Sequence, residues 1–298
     1  MFWVVFALAG TFLWACANVF DKVLREKYLK DSIALTALFA IPYFPIVLIL
    51  FAFIGVPHLP FWHGLAAFAC GFIFPVAAIS YFKALSLEEA SRVVPLFNLS
   101  PVFVLFMAVI FLGEVLTPVR YLAFFLILVG GLLISARRLG RIFHLSRAAG
   151  FMLLGAFVIA VMDVLLKFSL GAGDFWHVMV LYSFGTMLGE LSLFILPKVR
   201  KSVSLKVFSG KRIALILIPI SLFFGFTGDL LYNRALFFGP VTIVSSMISF
   251  QSLFLLVIAT FLSVKFPLFL KEAIDRKTLS IKLAAIILMA AGLFLLSL

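Results

Sequence analysis

Charge is scarce in this chain, and negative charge scarcer still. Charged residues make up 12% of the 298, with 24 Lys and Arg against 12 Asp and Glu. Ordinary soluble domains are about a quarter charged, so a water-facing surface over most of the sequence is excluded. Cysteine is nearly missing. Cys16 and Cys70 both fall inside apolar runs, which argues against a structural disulfide or a cysteine metal site. The four histidines, His58, His63, His144 and His177, lie at or near loops and lack metal-ligand spacing. Walker, nucleophile-elbow, HExxH and Rossmann glycine patterns are absent, so no cofactor and no direct drive by ATP is expected. No Lys or Arg precedes Asp21, so Ala15-Cys16-Ala17 reads as part of a helix and not as a signal-peptide cleavage site.

What fills the chain is apolar. Hydrophobic residues reach 65%, and the mean hydropathy is +1.27. Runs of roughly 20 apolar residues recur, each long enough to cross a bilayer as a helix. Alternating strands of about ten residues are absent, so helices and not a barrel satisfy the backbone in lipid. Ten spans are predicted, at roughly 2–24, 33–54, 61–85, 91–112, 118–136, 149–170, 175–196, 212–236, 241–262 and 279–297. The polar connection KFPLFLKEAIDRKT before the tenth has the character of a short amphipathic helix at the membrane surface.

The chain repeats itself. Tyr81 to Glu114 lies over Tyr232 to Lys265 without a gap, pairing Lys83 with Arg234, Ala84 with Ala235 and Phe103 with Phe254. Upstream, Phe6, Gly10, Phe12, Ala15 and Lys22 match Phe151, Gly155, Phe157, Ala160 and Lys167. Two five-span halves, residues 1–140 and 141–298, are therefore expected to fold as one unit. Lys22, Arg25, Lys27, Lys30, Lys83, Arg92, the Arg137–Arg147 and Lys198–Arg212 groups, and Lys265 through Lys282 crowd one side. Arg120, Lys167 and Arg234 lie on the other. The crowded side is cytoplasmic by the positive-inside rule, which puts both termini outside. An odd number of spans per half makes the second half inverted relative to the first.

Pro101 in the fourth span, Gly113-Glu114 at its end and the Gly130-Gly131 pair in the fifth lie between Glu88 and Ser135. This segment resembles the EamA type of the drug/metabolite transporter superfamily. The resemblance implies a ten-helix transporter with a central cavity lined by the first, third, fourth, sixth, eighth and ninth helices. The second half departs from the pattern, with Ser252 in place of the proline and Val264-Lys265 in place of Gly-Glu.

Inside the apolar runs a few residues could carry chemistry. Asp163 and Lys167 share one face of the sixth span and can pair within the helix, and Asn18 and Lys22 repeat that spacing in the first. Asp229 and Asn233 share a face of the eighth, beside Tyr232 and Arg234. Asn98 and Gln251 are amides at neighbouring repeat positions, and Trp14, Tyr81 and Tyr232 could wall a solute. The structural alternatives are helix packing through small polar groups, anchoring of Arg234 at the interface, and static kinks at Pro75, Pro95, Pro101 and Pro219. Glu190 reads as a structural partner or a site nearer the cytoplasmic surface.

The sequence thus specifies an all-α membrane protein: ten transmembrane helices as two inverted five-helix repeats around a central cavity. The expected function is secondary transport, by alternating access, of a small polar or zwitterionic metabolite resembling an amino acid. Its partners are a small-molecule substrate and the lipid bilayer, without nucleic acid, and protons could couple through Asp163 or Asp229. A prokaryotic inner or cell membrane is the expected location. The alternatives are a flippase for a lipid-linked intermediate and an intramembrane enzyme. The second of these would need a convergent acid–base or metal cluster near one surface.

Overall fold

The structure, a computed structural model, describes residues 2–24, 28, 31–87, 96–135, 146–207, 212–265 and 276–297. Among them every regular element is helical: α1 (Phe2–Val23), α2 (Ser32–Ile54), α3 (Phe61–Leu87), α4 (Ser100–Leu112), α5 (Pro118–Ser135), α6 (Arg147–Leu170), α7 (Phe175–Ser192), α8 (Pro197–Val207), α9 (Arg212–Phe238), α10 (Val241–Ser246), α11 (Ser249–Lys265) and α12 (Arg276–Ser297). Seven stretches are long and apolar enough to cross a membrane, and three further apolar helices, Ser100–Leu112, Pro118–Ile134 and Ile281–Leu296, are shorter.

Side chains available at the ends explain several boundaries. Asp31 caps α2 by accepting from the amides of Ile33 and Ala34, Ser146 caps α6 through Ala149, and Asp174 caps α7 through Trp176 and His177. Pro42, Pro45, Pro75 and Pro219 lie inside helices. Pro101 does not. It stands in the first turn of α4, where the missing amide would have had no helical partner, so the expected kink is a helix start. Pro95, Arg92 and the segment expected to form an amphipathic surface helix lie outside the described residues. A polar helix is found instead at α8, in the connection before the eighth predicted span.

The ninth predicted span is not continuous. It divides into α10 and α11 around Met247 and Ile248, and in the fourth a turn at Asn98 and Leu99 separates helical Leu96 and Phe97 from α4. The Leu99 amide donates to the Leu96 carbonyl at 3.2 Å, and the Phe250 amide to the Met247 carbonyl at 2.9 Å. These bonds fall at equivalent positions of the sequence repeat, so each half tightens the same helix at the same place.

Packing between the halves is reciprocal. Helix α1 lies along α9, and α3 along α6; α4 lies on α6, and α1 on α11; α2 meets α7, and α5 meets α12. Glycine permits the closest approaches. A Cβ at Gly10 would stand 2.8 Å from the Gly228 carbonyl oxygen, and one at Gly228 would stand 2.7 Å from the Trp14 indole. Gly130 faces Ala285 and Met289 of α12, and Gly131 faces Ser249 of α11, which gives the glycine pair a packing role.

Gly228→Ala is therefore expected to lower stability by about 1–3 kcal/mol through overpacking. A Cβ at Gly225, on the same helix, meets nothing within 4 Å. Thermal unfolding in detergent should show loss for Gly228→Ala and none for Gly225→Ala.

Candidate functional site

Two carboxylates in apolar helices set the chemistry here, because each needs a donor that its own helix cannot supply. Asp229 of α9 finds one in the opposite half: the Trp14 indole Nε1 donates to its Oδ1 at 2.8 Å. The Tyr182 hydroxyl of α7 is 3.5 Å from Oδ2, the long limit of a hydrogen bond. Asp163 of α6, buried, accepts from the Tyr232 hydroxyl at 3.0 Å. The Trp14 and Tyr232 rings then face each other with centroids 4.7 Å apart and a 42° tilt. Cys70, buried on α3, donates to the Met162 carbonyl and interacts electrostatically with both acids. Trp14, Tyr232, Asp163, Asp229 and Tyr182 thus form one cluster spanning both halves. Asp229 and Trp14 stay partly accessible, whereas Asp163, Tyr182 and Tyr232 are buried.

The expected Asp163–Lys167 pair does not form. Lys167 turns to the end of α9, where its ammonium donates to the carbonyls of Leu236 and Gly239, both at 2.7 Å. Those carbonyls lie at the end of a helix, where unsatisfied oxygens and the negative dipole end attract a cation, while Asp163 takes its hydrogen bond from Tyr232. Three residues on, Glu114 accepts from the amides of Val241 and Thr242 at 2.8 and 3.0 Å, capping α10 from another helix. Lys167 and Glu114 therefore grip the α9–α10 turn from both sides. Gly113, with φ of 63°, closes α4 in the left-handed region and delivers Glu114 to that position. The Gly-Glu signature thus has a structural reason: the glycine ends α4 and the glutamate caps α10.

The other candidates divide. Asn233 is buried and donates to the Met179 sulfur at 3.5 Å. Asn98 is buried too, donating to the Gly131 carbonyl and toward Ser252 Oγ, both at 3.3 Å, which ties α4 to α5 and α11. Tyr81 packs against Phe97, Met152 and Ala149 in a cluster separate from the acids. Lys22 is exposed at the end of α1, while Asn18 and Gln251 are partly buried. Arg234 lies over the rings of Phe175, Phe237 and Phe238 at 4.6, 5.5 and 5.1 Å, as an anchoring cation does. Sequence reasoning missed Tyr182. It also missed Asp21, whose carboxylate accepts from Ser221 at 2.6 Å to link α1 with α9.

Residues 1–136 match the model of the EamA-like transporter family. This first part of the chain is thus similar to an EamA domain, consistent with the drug/metabolite transporter superfamily, and the match contains all of Glu88 to Ser135. With its apolar helices the chain is an integral, multi-pass membrane protein, and the family points to a membrane transporter of the drug/metabolite type. No curated protein matches the sequence. One solved crystal structure is similar over 98% of this chain and 96% of its own, with a TM-score of 0.66 at 17% identity, which shows the fold alone.

Removing the Glu114 carboxylate leaves two amides at a helix start without their acceptor. Glu114→Ala is expected to lower stability by about 1–3 kcal/mol, and Glu114→Gln, which keeps one acceptor oxygen, by less. Thermal unfolding of the two variants checks the order.

Proposed function

We propose that this chain is a secondary transporter of small ammonium-bearing metabolites, amines or amino-acid-like zwitterions, moved between two inverted five-helix halves by alternating access. The observation that carries the reading is Asp229 held by Trp14 across the halves, with the tilted Tyr232 ring beside Trp14 and Asp163 bonded to the Tyr232 hydroxyl. A carboxylate among aromatic faces attracts an organic cation by charge and by the ring quadrupole together. With Lys167 committed to helix-end carbonyls, the positive end of a zwitterion is the part this site reads best.

The reciprocal packing supports inversion. Gly10 against Gly228, joining α1 to α9, is mirrored by Gly155 near the Ala77 carbonyl, joining α6 to α3. These residues are repeat equivalents. Two halves joined this way can exchange conformations, so that the shared site faces one side and then the other. Both termini lie outside in this reading, and protons couple through the acids. A flippase is the second reading, favoured by an apolar furrow of about 410 Å³ lined by Trp62, Leu65, Ala66, Ala69, Leu165 and Phe168. Lipid chains fit such a furrow, but it contains none of the cluster's residues.

Purified protein should be screened by thermal shift against amines, amino acids, sugars and nucleotides, with Asp163→Asn and Asp229→Asn alongside. An amine or zwitterion at about 100 times its dissociation constant stabilises by roughly 2.7 kcal/mol. That stabilisation is expected to disappear in Asp229→Asn. Stabilisation by sugars or nucleotides alone, unaffected by either substitution, would overturn the assignment.

A further inference from the structure

Glu190 is the acid that the site leaves out. It lies on α7, is 1% exposed, and its Oε2 has no hydrogen-bond partner. Tyr182, Thr186 and Glu190 recur at four-residue intervals, so they share one face of α7 over about 12 Å. The face begins at Tyr182, beside Asp229, and runs toward the C-terminal end of the helix. Tyr43 of α2 is 3% exposed, and its hydroxyl makes no well-formed hydrogen bond, its one polar neighbour being Thr186. The Thr186 hydroxyl is itself donated to the Tyr182 carbonyl at 3.0 Å. Asp229 and Glu190 both act electrostatically on Tyr43, and Asp229 acts on Glu190. An acid with an unpartnered oxygen and a phenol that acts on it electrostatically are thus both buried near Asp229.

Among the described residues no ion pair to Glu190 forms. The titratable groups of the helices packed on α7 in this region are Tyr43 of α2, Cys70 of α3, Asp163 of α6 and Asp229 of α9, with Tyr182 on α7 itself. The bases that follow Glu190 in the chain, Lys198, Arg200 and Lys201 of α8, are exposed, and Arg200 donates to the carbonyls of Phe194 and Ile195. Farther off, Lys167 holds carbonyls, Arg234 lies over Phe175, Lys83 lies over Phe151, and His63 stacks on Phe168. His177, at the far end of α7, pairs with Asp174. A carboxylate in such a place is costly unless a positive charge joins it, and a proton is the smallest charge that fits.

We propose that Glu190, with Tyr43, is a proton-binding site separate from the ammonium site, and that a proton on Glu190 and an ammonium group at Asp229 compete. The phenol donates to Glu190 when the carboxylate is bare and turns away when it is protonated. Cation entry at Asp229 then displaces the Glu190 proton to bulk water, and the bare carboxylate takes up the phenol's hydrogen bond. The competition rests on the reading of Asp229 given above; the proton site itself does not.

The test is infrared difference spectroscopy of the detergent-purified full chain across a pH titration, reading the carbonyl stretch of protonated carboxylic acids. The wild type should show a band that vanishes in Glu190→Gln and moves in Glu190→Asp. In Asp229→Asn the band should titrate at a proton concentration shifted by about tenfold or more. Should Glu190→Gln fail to fold, Glu190→Asp and Asp229→Asn carry the same comparison. Identical spectra in wild type and the Glu190 variants would overturn the proposal. Loss of the band on adding sodium at fixed pH would overturn the proton assignment in favour of a metal cation. An unshifted midpoint in Asp229→Asn would overturn the competition. A Glu190 band with no amine response in the thermal screen keeps the proton site and removes the Asp229 reading instead.

Discussion

An acid in an apolar helix has to find its donor on another helix, and in this chain that requirement joins the two halves. Asp229 lies on α9 and its closest donor, the Trp14 indole, on α1; Asp163 lies on α6 and its donor, Tyr232, on α9. Neither half could satisfy Asp229 in the same way alone. The Gly10–Gly228 contact brings α1 and α9 together closely enough for the indole to reach. The donors are aromatic, so the same contacts that neutralise the acids also build walls around them. Stability and the proposed recognition depend here on the same few side chains.

The halves are related but unequal, and the inequality has physical content. Lys167 and Glu114 hold the α9–α10 turn by its carbonyls and amides. Their repeat equivalents, Lys22 and Lys265, are both bases, so the opposite face cannot build the same clamp. The acids are equally one-sided. Asp163 corresponds to Asn18, and Asp229 to Ala78. The repeat in the sequence thus carries unequal side chains, with Asp163 and Asp229 both in its second part.

Much of this was legible in the sequence. Apolar runs located the long helices, and the ungapped match of Tyr81–Glu114 to Tyr232–Lys265 exposed the repeat. Asp163, Asp229, Trp14 and Tyr232 were all singled out, and the structure brings them together. Other features were hidden for identifiable reasons. The break at Met247 and Ile248 has no proline or glycine to announce it, and α8 has too few apolar residues to register as a helix. The four-residue spacing of Asp163 and Lys167 implied a pair, but spacing cannot show that helix-end carbonyls compete for the lysine. Tyr182, Thr186 and Glu190 carried a usable periodic signal. Its meaning depends on which helices α7 meets, and a single sequence does not contain that.

The central claim is that an ammonium group is bound against Asp229 and Trp14. It can be read directly in a variant whose only tryptophan is Trp14, with Trp3, Trp62 and Trp176 changed to phenylalanine. The emission of Trp14 should shift on titration with amines or amino acids, saturably, and the shift should be abolished by Asp229→Asn. Amines that bind without altering Trp14 emission, or a shift that persists in Asp229→Asn, would contradict it.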